Sequence, residues 1–118
     1  MQTHVPTIES LRKAVESRDA KSLKTFYADN ATITIIDTDN PPSKPRTIKG
    51  ASAIGEFLDD VYSRDITHTI EQGLLDSKHL AFVEGCKYAD GTRVVASNMA
   101  EIGPKGIVKQ IVVQAWDS

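Results

Sequence analysis

The sequence predicts a single α+β domain, with helices gathered first and an antiparallel sheet after them. Two observations carry this. Helical periodicity is confined to the first half, at Ile8, Leu11, Ala14 and Val15 and again at Ile54, Phe57, Leu58 and Val61. From Thr67 onward the pattern becomes a meander of β-rich runs separated by turn signals. Helices followed by sequential strands pack as helices against one face of a curved sheet. At 118 residues the chain is one domain, residues 1–118, large enough to bury about two-thirds of its unfolded surface.

Each element has a local cause. Thr7 suits the N-cap of the first helix, and Glu9 in the first turn meets the positive end of the helix dipole. Asp19 suits the cap of a second, short helix whose apolar side is Leu23, Phe26 and Tyr27. Ala31 to Ile36 reads as a β-branched strand, and the prolines in Asp37 to Arg46 make that stretch a loop. The third helix carries Ile54, Phe57, Leu58 and Val61 at i, i+3, i+4 and i+7. Strands follow near 67–75, 80–88, 93–102 and 107–116, joined at Asp76-Ser77-Lys78-His79, Asp90-Gly91 and Gly103-Pro104-Lys105-Gly106.

Turns set register, and register sets faces. A two-residue turn at Asp90-Gly91 pairs Lys87 with Val94 and Val83 with Asn98. The neighbouring turns pair His68 with Lys87, Gln72 with Val83, Ile102 with Ile107 and Asn98 with Ile111. One face then holds His68, Ile70, Gln72, Val83, Ala96, Asn98, Ile111 and Val113, and is taken as concave and pocket-lining. The other holds Glu71, Phe82, Glu84, Cys86, Val95, Met99, Gln110, Val112 and Trp116, a mixture suited to a subunit interface. One β-bulge swaps the assignment beyond it.

Composition excludes several classes. A formal net charge of -2, with basic residues scattered apart from Arg12-Lys13, argues against nucleic acid and membrane surfaces as partners. Cys86 is the single cysteine, so no internal disulfide forms. Met1 to Pro6 hold no apolar stretch of the signal-peptide kind and no run reaches transmembrane length, so a cytoplasmic location is the expectation.

Three segments taken in order carry a resemblance: Phe26-Tyr27-Ala28-Asp29-Asn30-Ala31-Thr32-Ile33-Thr34-Ile35, then Lys49-Gly50-Ala51-Ser52-Ala53-Ile54-Gly55-Glu56-Phe57, then Gln114-Ala115-Trp116-Asp117. Behind an amphipathic helix, this layout resembles the nuclear transport factor 2-like superfamily, and within it the SnoaL-like and ketosteroid-isomerase-like proteins. The resemblance covers nearly the whole chain. It implies a cone-shaped, cystatin-like α+β barrel enclosing one pocket, and a homodimer. The catalytic residues of the best-known relatives do not carry over. The isomerase tyrosine falls on Leu11, its general base on Ile35 and its oxyanion aspartate on Asn98 or, by a one-residue shift, on Met99. An isoleucine accepts no proton, so that mechanism is not expected. The Arg-x-Asp pair of limonene-epoxide-hydrolase-like members matches Gly85-Cys86-Lys87, without acid or arginine.

Candidate ligand-binding residues are therefore Asn98, His68, Gln72 and Val83 on the sheet, Leu11, Ile35, Phe57 and Val61 on the apolar wall, and Trp116 as a closing aromatic if the last strand bulges. Asn98 can donate to a ligand oxygen, or serve as a core amide. His68 is either a pocket base beside Lys87 or an exposed strand-end residue. Glu71 and Glu84 read as cross-strand neighbours, solvated or proton-sharing. Asp37 is a turn residue near the cavity mouth. Pro42 occupies the glycine position of a calcium loop begun at Asp37, and no His/Cys spacing supports zinc. The expected function is a cofactor-free, metal-free pocket for a small apolar molecule with one or two polar groups. Isomerisation, cyclisation or hydration is the chemistry if it is an enzyme. A non-catalytic dimerisation or protein-interaction module is the alternative.

Overall fold

Thr7 and Ser10 open the first helix, α1 (Ile8–Glu16), with reciprocal side-chain bonds to each other's backbone amides, which satisfies two otherwise orphaned donors. Asp19 caps α2 (Ala20–Lys24) by accepting from the Ser22 amide at 3.1 Å. The computed structural model describes residues 2–117. Strand β1 (Tyr27–Ile36) begins four residues before the predicted Ala31, so Tyr27 is a strand residue. The proline loop ends in a short strand, β2 (Arg46–Lys49), that the sequence did not announce; it pairs antiparallel with β1 through Thr32↔Lys49 and Ile35↔Arg46. Gly50 then turns the chain, at φ 89°, into α3 (Ala51–Ser63).

Four long strands follow: β3 (Ile66–Leu75), β4 (His79–Tyr88), β5 (Arg93–Gly103) and β6 (Gly106–Trp116). The sheet order is β2-β1-β6-β5-β4-β3, with every pair antiparallel except β1 and β6. Helix α1 lies over β3, α2 over α3, and α3 over β1 and β2. All helices thus cover one face of the curved sheet, as predicted. Ile33, Ile35, Ile54, Leu80 and Ile107 are fully buried between the layers. Each such side chain contributes about 1.5–3 kcal/mol relative to exposure.

Three local irregularities decide the faces, and all three depart from the simplest register. The β4–β5 loop contains Ala89, Asp90 and Gly91 between Tyr88 and Thr92, whose backbones bond at 2.9 Å. Gly91, at φ 91°, supplies the left-handed residue that a three-residue loop needs. Lys87 therefore faces Arg93 rather than Val94, and Phe82, Glu84 and Cys86 turn towards the helices beside Asn98, Ala96 and Val94. In β3 the predicted pairing of Gln72 with Val83 is present, but the register shifts at Glu71, so Ile70 pairs with Glu84 and His68 with Cys86. A further shift next to Ile102 leaves Ile102↔Ile107 as predicted and moves Asn98 onto Val112. Gln110 and Val112 consequently point inward, while Ile111 and Val113 are exposed on the outer face.

Candidate functional site

The curved sheet and its helices enclose a cavity of about 300 Å³, at the small end of the range for ligand pockets. Its apolar wall comes from Leu11 and Val15 of α1, Ile33 and Ile35 of β1, and Phe57, Leu58 and Val61 of α3. The polar side is the sheet. His68, Glu84, Asn98 and Gln110 are all buried there, one on each of four different strands. Trp116 and Tyr88, with rings 5.4 Å apart, reach the same cavity, as do the charged side chains Asp37, Arg46, Asp60 and Arg64. Arg46 lies over the Phe57 ring at 5.4 Å.

Most of the predicted pocket residues converge. Asn98, His68, Leu11, Ile35, Phe57, Val61 and Trp116 line the cavity. Gln72 and Val83 do not. Gln72 is exposed beyond the β3 bulge, and Val83 pairs with Ser97 on the outer face. His68 is not beside Lys87 and is not at an exposed strand end; it is buried, with Cys86 opposite and Lys87 turned to solvent. Glu71 and Glu84 are not paired either. Glu71 is exposed within the bulge, and Glu84 is buried in the cavity. Asp37 both contributes to the cavity lining and closes its turn, accepting from the Asp39 and Asn40 amides at 3.0 and 2.9 Å.

Glu84 is the centre of the first polar cluster. Its carboxylate meets His68 Nδ1 at 2.8 Å and accepts from the Tyr62 hydroxyl at 3.2 and 3.3 Å. The Tyr62 and His68 rings pack 4.5 Å apart, so each fixes the other's orientation. Cys86 Sγ lies 3.4 Å from His68 Nδ1 and 3.6 Å from the carboxylate. Burial, then the neighbouring Glu84 charge, pushes the Cys86 thiol up to about 12. The same two causes hold the Tyr62 phenol well above its ordinary range. His68 Nε2 is buried without a hydrogen-bond partner among the described residues.

A second cluster runs along the sheet. The Tyr27 hydroxyl donates to Gln110 Oε1 at 2.6 Å, Gln110 Nε2 donates to Asn98 Oδ1 at 2.8 Å, and Asn98 Nδ2 donates to the Ala96 carbonyl at 3.2 Å. Burial raises the Tyr27 phenol, and the Glu84 charge adds to the shift, so the two clusters sense each other electrostatically.

The ligand atoms of His68, Glu84 and Cys86 lie within 4.8 Å of one another, close enough for a metal. Their chemistry favours a hydrogen-bonded cluster instead. The carboxylate already accepts a phenol and faces the imidazole, and a ligating histidine is ordinarily anchored through its second nitrogen, which here has no partner among the described residues.

Sequence reasoning missed Tyr62, Gln110 and the polar role of Tyr27. Tyr62 was accessible, since it extends the Ile54–Leu58 stripe by another turn of the helix. Gln110 needed the β6 shift, and its bond to Tyr27 spans 83 residues, beyond any local pattern.

Neither a sequence-family profile nor a curated protein matches the chain. Solved structures do. An NTF2-like protein of unknown function from Mesorhizobium loti aligns over 98% of this chain and 99% of its own, with a TM-score of 0.76 at 15% identity. A protein with a cystatin-like fold from Silicibacter pomeroyi covers 93% of this chain and 74% of its own, at TM-score 0.73 and 18% identity. A Kribbella flavida protein assigned provisionally as a ketosteroid isomerase gives the same coverage and TM-score at 15% identity. The chain has the nuclear transport factor 2-like, cystatin-like fold that its segment order resembles.

Proposed function

We propose that this chain is a small-molecule pocket protein that binds a largely apolar ligand carrying one or two polar groups, and that Glu84 exchanges a proton with that ligand. One observation carries the reading: a buried carboxylate, oriented by an imidazole at 2.8 Å and a phenol at 3.2 Å, opens onto a cavity with an apolar wall opposite it. A carboxylate placed this way can take an acidic proton from one ligand position and return it to another, which is isomerisation without a cofactor. His68 and Tyr62 hold Glu84 in place and disperse its negative charge before it takes the proton; the charge then passes to the ligand until the proton is returned. The provisional assignment of a structural neighbour as a ketosteroid isomerase is compatible with such chemistry, although its general-base position is Ile35 here.

The test is a thermal-shift panel of steroids, terpenoids, aromatic polyketide-like compounds and small acids, run on the natural chain and on Glu84→Gln. A ligand that binds the folded state raises its melting temperature. Hits should incorporate deuterium from heavy water with the natural chain and not with Glu84→Gln. Hits with no exchange reduce the protein to a binder.

A second copy of the chain is the proposed partner. The outer sheet face exposes Val95, Met99, Ile111 and Val113 side by side on β5 and β6. Such a stripe fits an isologous interface, and pairing there leaves the cavity on the opposite face free.

A further inference from the structure

We infer that the ligand presents a hydrogen-bond donor, a hydroxyl in the first instance, to the phenolic oxygen of Tyr27; this rests on the ligand-pocket reading above. One group in the Tyr27 relay has a fixed role. The Ala96 backbone carbonyl can only accept, so the Asn98 group 3.2 Å from it is the amide nitrogen. Asn98 Oδ1 must then be the atom facing Gln110, and an oxygen there requires the Gln110 nitrogen opposite it, at 2.8 Å. That leaves Gln110 Oε1 facing Tyr27 at 2.6 Å, and an amide oxygen accepts.

The Tyr27 proton is thereby committed to the protein, and the polarity cannot be reversed without leaving two oxygens in contact at Ala96. Within the relay, the phenolic oxygen keeps its acceptor capacity, and Tyr27 lines the cavity. The other cluster has the same polarity, because Tyr62 spends its hydroxyl proton on Glu84. Both phenols thus turn acceptors, not donors, towards the ligand. A ketone would find its carbonyl facing an oxygen at Tyr27. Asn98 is a positioning residue in this arrangement, since it acts on the ligand through Gln110 and Tyr27.

Calorimetric titration with tetralin, 2-tetralone and 2-tetralol tests this, because the three share a shape and differ only at one polar group. The alcohol is expected to bind about tenfold more tightly than the ketone, the difference one hydrogen bond makes. Tyr27→Phe should abolish that preference, read as the ratio of alcohol to ketone affinity within the variant. Asn98→Leu frees Gln110 to turn its nitrogen towards Tyr27, which releases the phenolic proton to the cavity, so the preference should shift towards the ketone. If Tyr27→Phe does not fold, the ratio in the natural chain and in Asn98→Leu still decides. Equal binding of alcohol and ketone overturns the inference while the pocket reading stands. An alcohol preference that survives Tyr27→Phe and vanishes in Glu84→Gln assigns the acceptor to Glu84 and overturns it as well. Failure of all three compounds to bind removes both the inference and the pocket reading.

Discussion

His68 and Glu84 are diagonal neighbours on adjacent antiparallel strands, and their side chains meet at 2.8 Å beneath the helices. Ile70 is directly opposite Glu84 and Cys86 directly opposite His68, so the contact is oblique. This one pair joins the fold to the chemistry. It exists only because the β4–β5 loop has three residues and β3 has a shift at Glu71.

The pair is expected to be energetically coupled. Glu84→Ala strands the Tyr62 hydroxyl and one imidazole nitrogen in a buried site, and should cost about 2–4 kcal/mol. In a double-mutant cycle with His68→Phe, the coupling should reach about 1–3 kcal/mol by urea unfolding. Additive effects would mean that the two groups do not interact.

Much of this architecture is legible in the sequence. The helices are, because Thr7, Asp19 and the Ile54–Val61 stripe act locally, and the β5 face is, because a strand's period of two puts Val94, Ala96, Asn98 and Ala100 together, as their alternating burial matches. The polar centre is not. Asp90-Gly91 suits a two-residue turn as well as the three-residue loop that forms, and the choice moves Glu84 from solvent to cavity. Gln110 and Trp116 depend likewise on the register shift next to Ile102, which has no composition signal of its own. Asn98 could be found because no irregularity interrupts β5 around it, whereas His68 reaches its assigned face because the three-residue loop and the β3 shift each swap the faces and cancel.

Cys86 should be a poor nucleophile despite its place in the cluster. Burial and Glu84 raise its thiol from 9.0 to about 12. At pH 8, iodoacetamide should modify the folded chain roughly a thousandfold more slowly than the urea-unfolded chain, in proportion to the thiolate fractions. The fold favours the protonated thiol. Its contribution to stability is therefore complete below pH 9 and is lost as pH rises from 9 to about 12. Fast labelling of the native protein would contradict this environment.

Two glycines with positive φ should respond differently to alanine. A Cβ at Gly106, at φ 121°, would sit 2.6 Å from the Phe26 carbonyl oxygen, a backbone atom at the junction of β1 and β6. Gly106→Ala should cost about 3 kcal/mol or more. At Gly91, with φ 91° and no atom within 4 Å, the cost should be about 1–2 kcal/mol, the backbone preference alone. Thermal unfolding of the two variants measures the difference.

If a second copy covers the outer face, Met99→Lys combined with Val113→Lys should turn a dimer into a monomer in sedimentation, without lowering ligand affinity in the cavity. An unchanged sedimentation coefficient would place the interface elsewhere.

The chain has three histidines, His4, His68 and His79, and only His68 lines the cavity. Imidazole nitrogen NMR of histidine-labelled protein, titrated with the strongest hit of the thermal-shift panel, therefore reports directly on the site. A ligand seated beside Glu84 should shift the His68 resonances and leave those of His4 and His79 in place. Saturable binding with His68 unmoved would contradict a ligand site built on the Glu84–His68 pair.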